Sequence, residues 1–303
     1  MSDLNEVLEG WSPEPVSVTG TIDPWPGEAF AGALDRPLRL AHGDALPPMW
    51  HWFHLLDHPD RSALGDDGHP ADGAFLPPVP DRRRMFAGAR VRMHRPLRIG
   101  DEVTRRSSLE HVAVKRGRSG EMAFVTVRSE FLRGDELLLV EDQDIVYRSQ
   151  PPGRPNASVA PDRVAAAPGG TGGTPTEPSA DGSRVTLDTD APLLFRVSAL
   201  TYNTHRIHYD LPYCTDVEGY PGLVVHGPLL ALLLLEVPRR THPDRWVESF
   251  SFRLHNPVFS GARVIADGHV GEDGALALSA SAEGGPVAVS GSAVLGAAPE
   301  ARP

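Results

Sequence analysis

The sequence predicts an α+β protein of two tandem units, each an antiparallel sheet curved around a helix. Three observations carry that expectation. Short runs that alternate apolar and polar residues, bounded by glycine and charge, recur on both sides of a Pro/Gly-rich middle, which is the period-two signature of antiparallel strands. Residues 229–237 (LLALLLLEV) are apolar around their whole circumference, so a helix there must be covered by a sheet. Residues 92–100 (RMHRPLRIG) and 253–261 (RLHNPVFSG) share the pattern R, apolar, H, x, P, apolar, x, x, G at an offset of 161, which signals duplication. A helix wrapped by a curved sheet is the hot-dog arrangement, and two in tandem make a double hot-dog.

Taken in order, residues 48–56 (PMWHWFHLL) are the candidate helix of the first unit, and EVTRRSSLEHVAV, EMAFVTVRSEFL and ELLLVEDQDIVYR are its strands. This unit spans 1–148. From 149 to 183 the chain is dense in Pro, Gly, Ser and Ala with almost no large apolar residue, the composition of a linker. The second unit, 184–295, places its helix at 228–237, with Pro228 in the first turn where a missing N–H costs nothing. Its strands are ARVIADGHV, ALALSASA and PVAVSGSAVL. Residues 296–303 read as a disordered tail.

At 303 residues the chain is long enough for two cores. A net charge of -11, a pI near 5.6 and the lack of a long basic block argue against a nucleic-acid surface. Arg82, Arg83 and Arg84 form the densest basic run, and a solvated turn is its ordinary meaning. The single cysteine, Cys214, leaves no internal disulfide and no cysteine-based zinc cluster. Residues 229–237 are half of a membrane span, and the N-terminus lacks a signal-like pattern. A cytoplasmic protein without membrane or nucleic-acid partners is expected.

Chemistry concentrates in SALTYNTHRIHYD (198–210), followed by a Gly-Pro turn and the His226-Gly227-Pro228 start of the apolar helix. Histidine titrates near neutrality and serves as acid and base in turn. Unpaired N–H groups near Gly227, at the positive end of the helix dipole, suit an oxygen that gains negative charge, and a glycine lets a ligand approach the backbone. The bland reading makes His205 and His208 hydrogen-bonded loop residues and His226 a positioner of Gly227. Asp210 reads as a cap or partner, Tyr202 as a packing residue, and the repeated His94 and His255 as structural. The spaced histidines raise zinc, but neither an H-E-x-x-H helix nor a Cys/His ligand set is present, so no metal is expected.

SALTYNTHRIHYD with EGYPGLVVHGPL resembles the MaoC-like hydratases and dehydratases, in the double hot-dog branch of mesaconyl-C4-CoA hydratases and type 2 hydroxyacyl-thioester dehydratases. PPMWHWFHLL, the LGDDGHP turn, FLPPVPDRRRMFAG and PLRIGDEV extend the likeness to the first half. The common family run D-x-N-P-x-H-x-D, aligned on His208-Tyr209-Asp210, puts Asn203 in place of the Asp and His205 in place of the Asn. The resemblance therefore implies a hydro-lyase acting on an enoyl or 3-hydroxyacyl thioester. His208 would be its acid/base, Asn203 would orient water, His205 would share the proton work, and Gly227 and His226 would flank the thioester oxygen. No cofactor is implied beyond the CoA ester or carrier-protein ester that is the substrate. The first half would be a non-catalytic acyl-binding wall, with Arg82, Arg83, Arg84 or Arg118 available to a carboxylate or phosphate. Pairing into a homodimer stays open. A hot-dog thioesterase and a non-catalytic acyl-binding module are the alternatives.

Overall fold

The computed structural model describes residues 4–117, 120–149, 183–271 and 274–299. Of the expected linker, residues 150–182 lie outside that set, as does Arg118.

Ten strands form one antiparallel sheet: β1 (Val16–Thr21), β2 (Arg82–Met93), β3 (Glu102–Gly117), β4 (Gly120–Arg133), β5 (Glu136–Ser149), β6 (Arg184–Asp188), β7 (Arg245–Leu254), β8 (Arg263–Val270), β9 (Leu276–Ala282) and β10 (Val287–Ala297). Their order is β1-β3-β4-β5-β2-β7-β10-β9-β8-β6. Each first-half strand thus has a counterpart at the mirrored place in the second half, and β2 pairs with β7 at the seam, from Gly88↔Arg253 to Arg92↔Ser249. The repeated nine residues mark the same corner twice. The N–H groups of His94 and Arg95 both donate to the Leu138 carbonyl, and those of His255 and Asn256 to that of Ala288. Gly100 and Gly261, both at positive φ, donate to Ile22 and Thr189. At the seam a Cβ on Gly88 would lie 2.2 Å from the Phe252 carbonyl oxygen, so the halves approach only because that residue lacks one.

The helices are α1 (Leu4–Leu8), α2 (Pro24–Ala33), α3 (Ala191–Leu200) and α4 (Gly227–Thr241). None is long and apolar enough to cross a membrane. Residues 229 to 238 of α4 are all buried, as a helix apolar on every side requires, and it packs on β7, β8, β9 and β10. Glu236, buried within α4, meets Arg239 and, from the turn after α2, Arg36. That contact ties the second-half helix to the first half.

Among the described residues the first half has no equivalent long helix. Residues expected to be helical over 48–56 form one 3-10 turn, Trp50–Phe53. Left-handed backbone at Met49 (φ 68°) and Leu55 (φ 53°) closes it at both ends, and His51 Nε2 and Trp52 Nε1 both turn toward Glu141 on β5, at 3.0 and 2.7 Å. The chain released by the missing helix, residues 54–81, runs instead as a loop broken by one 3-10 turn, Arg61–Ala63. The expected tail is also corrected in part: Gly296 and Ala297 continue β10, paired with Trp246 and Arg245. The strands β1, β2, β6 and β7 and the helices α1, α2 and α3 add to those expected from the sequence.

Candidate active site

The strip that follows α3 is set by local backbone chemistry. Asp190 caps α3 by accepting from Leu193 N. Tyr202 ends it in the left-handed region (φ 48°) and is 55% exposed, so it terminates the helix and does not pack. The Asn203 N–H donates to Ser198 O, and its side-chain oxygen accepts from His205 N at 3.0 Å, an Asx turn that aims His205 inward. One 3-10 turn, Arg206–His208, then carries His208. Asp210 does act as partner and cap: it accepts from Tyr213 N and pairs with Arg206 at 2.7 Å.

His208 is buried, and its Nδ1 lies 2.7 Å from the Val224 carbonyl oxygen. A carbonyl only accepts, so Nδ1 carries the proton and Nε2 is left with its lone pair. Burial lowers its pKa to about 4, which keeps the ring neutral. His226, the residue before α4, stacks on it with centroids 3.7 Å apart and planes at 18°. His226 Nε2 lies 2.9 Å from Ser198 Oγ, and burial with the neighbouring His208 pushes this ring well below its ordinary range. His205 stands edge-on to His208 at 5.5 Å, and burial, then His69 and His208, push it well down too.

His69 comes from the other half. The loop that replaces the first-half helix folds back on itself through a Leu64↔Pro70 bridge and docks on the strip. Arg206 N donates to Asp67 O, Arg206 Nη1 to Asp66 O, and Thr204 Oγ1 to Gly68 O. Gly68 (φ 86°) is required here, because a Cβ would lie 1.9 Å from the Thr204 carbonyl oxygen. This docking lays His69 against His205, with centroids 4.0 Å apart. Both carboxylate oxygens of Asp67 hold His69, Oδ1 from its N–H at 2.9 Å and Oδ2 from Nδ1 at 3.0 Å. Burial works to raise the Asp67 carboxyl, but the His69 hydrogen bonds and charge outweigh it and hold it well below the usual carboxylate range. Asp67, His69 and His205 have ligand-type atoms within 4.8 Å of one another. Both Asp67 oxygens are hydrogen-bonded to His69, so the set forms a hydrogen-bonded clamp.

The expected residues therefore meet, with two changes of role. Asn203 uses its carbonyl oxygen to shape the strip, which leaves its NH2 for another partner. The space above Gly227 is filled by Leu254, whose Cδ1 would lie 2.4 Å from an added Cβ. The glycine is needed for packing, while helix geometry leaves the N–H groups of Gly227 and Leu229 without intrahelical acceptors. The run 82–84 is not a solvated turn but the half-buried start of β2. Arg82 donates to Pro77 O and Ala71 O. Arg83 pairs with Glu218 at 2.6 Å. Arg84, next to the buried Tyr147 across the β2–β5 ladder, meets no carboxylate among the described residues and lies close enough to His205 to lower its basicity further.

The geometry is accompanied by a family match: hydroxyacyl-thioester dehydratase type 2 (Htd2) covers residues 49–260, from the 3-10 turn to the second repeated corner. The chain belongs to this family. It is 46% identical over 267 residues to the mesaconyl-C4-CoA hydratase of Chloroflexus aurantiacus, across 84% of this chain and 90% of that protein. Among solved structures, a MaoC-like dehydratase from Phytophthora capsici matches with a TM-score of 0.64 at 14% identity, over 99% of this chain and 100% of the other. A Mycobacterium tuberculosis protein described as having a double hotdog fold matches with a TM-score of 0.51 at 15% identity, over 94% and 96%. The double hot-dog expectation and the resemblance to MaoC-like enzymes both hold. Within this Htd2 chain, Asp67 and His69 are the site residues that motif reading missed. The D-G-H spacing of an Asx turn in LGDDGHP was their one local signal.

Proposed function

We propose that the chain hydrates the double bond of a dicarboxylic enoyl-CoA, mesaconyl-C4-CoA or a close analogue, or runs the same step in reverse; the hydro-lyase class itself follows from its family. The observation that carries the mechanism is the Val224 carbonyl on His208 Nδ1, which leaves Nε2 as a fixed base in a desolvated row beside the start of α4. Water gives a proton to Nε2 as its oxygen bonds to the β carbon. The π electrons move toward the α carbon and the thioester oxygen. The first-turn N–H groups of α4 stabilise that oxygen, and the α carbon takes a proton to finish the addition. In dehydration each transfer runs backward.

Of the arginines available to the free carboxylate of such a substrate, Arg82 and Arg83 are engaged within the fold, which favours Arg84. The reading takes a CoA ester in the cytoplasm as the substrate, and light scattering on the purified chain tests whether two copies pair. The deciding assay follows enoyl-thioester absorbance and free thiol together. Bleaching without thiol is expected, and His208→Ala should remove nearly all turnover. Thiol release would establish a thioesterase, and neither signal a binding module.

A further inference from the structure

Hydration needs a base for water and an acid for the α carbon, and the four imidazoles of the row are not equivalent. His205, His208 and His226 are kept neutral by burial, and Asn203 brings no charge. His69 alone of the four has a carboxylate on its ring, so its imidazolium is the one matched by a counter-ion. Two titratable groups with opposed environments side by side divide acid from base.

We propose that the first half supplies the acid: His69, clamped by Asp67 and seated against His205, delivers the proton to the α carbon while His208 takes the proton from water. This rests on the hydratase reading. The balance closes within the row. One proton leaves water for His208 Nε2 as the C–O bond forms, and one leaves His69 Nε2 as the C–H bond forms. The proton on His208 then returns to His69 past His205. Asp67 is a positioning residue that also matches the charge. The charged and titratable groups facing His69 are Asp67 on its own loop and His205 and His208 on the docked strip; Arg206 on that strip lies beside Gly68, and Arg84 on β2 acts on His205.

His69→Gln should lower kcat for hydration roughly 100- to 1,000-fold, the range of one general acid, with KM changed less than about threefold. Asp67→Asn, nearly isosteric, removes the negative charge beside His69 and should lower kcat roughly tenfold or more with KM changed less than about threefold. An Asp67→Asn rate equal to wild type, or a His69→Gln rate within about threefold of it, overturns the assignment. A readout without turnover separates this inference from the hydratase reading: nitrogen-correlated NMR of the imidazoles near neutral pH. Both His69 nitrogens protonated, with His208 as its Nδ1–H tautomer, supports the division of roles. A neutral His69 refutes it, whatever the turnover of His208→Ala.

Discussion

Acid should weaken this fold through His208 by an amount that one substitution isolates. The ring falls from an ordinary 6.5 to about 4 on burial, so the unfolded chain binds the proton more tightly than the folded one. A depressed folded-state pKa means stability is intact above 6.5 and is lost as pH falls toward and through 4. Evaluating both titrations between about pH 7 and pH 4.5 gives a loss of about 2 kcal/mol from this residue alone. His208→Gln removes the titration while its amide keeps a donor for Val224 O. Urea unfolding at the two pH values should show the variant losing about 2 kcal/mol less stability on acidification than the wild type. The same loss in both proteins, to within about 0.5 kcal/mol, would refute the claim that His208 is held neutral by burial.

Two further substitutions probe the scaffold. Gly68→Ala forces a Cβ onto Thr204 at a left-handed φ and should undock the loop. The expectation is a thermal midpoint lower by a few degrees, from about 1–3 kcal/mol of strain, and a rate that falls with it as His69 leaves the row. Leu234→Ala, in a fully buried turn of α4, should cost about 2–5 kcal/mol in denaturant unfolding and leave the His208 tautomer unchanged by NMR.

What was legible in the sequence follows the physics of each signal. β3, β4, β5, β8, β9 and β10 were visible because each alternates at period two between turn residues, and α4 because seven of its apolar residues are consecutive and an eighth follows a single break at Glu236. The duplicated corner was visible because a positive φ at Gly100 and Gly261 demands the same residue twice. The seam strand β2 begins with three arginines that tertiary partners half-bury, so its opening reads as a turn. The first-half helix failed because positive φ at Met49 and Leu55 is a tertiary outcome that no propensity for those residues announces. Likewise the NTHRIH strip is a compact motif, whereas Asp67 and His69 enter the same site from more than 130 positions away. Only the docked loop, held by Gly68, joins them.

The seam between β2 and β7 has a consequence for how such a site can diversify. In a pair of identical half-chains every substitution would appear twice, once on each side of the sheet, and a loop that trades a helix for a reach across the seam would weaken both cores at once. Joining the halves in one chain breaks that constraint. One copy keeps the buried helix that stabilises the core, and the other is free to lengthen, shorten or recharge the loop that crosses to the histidines. Variation in substrate should therefore gather in residues 54–81, leaving α4 and the repeated corners to hold the frame.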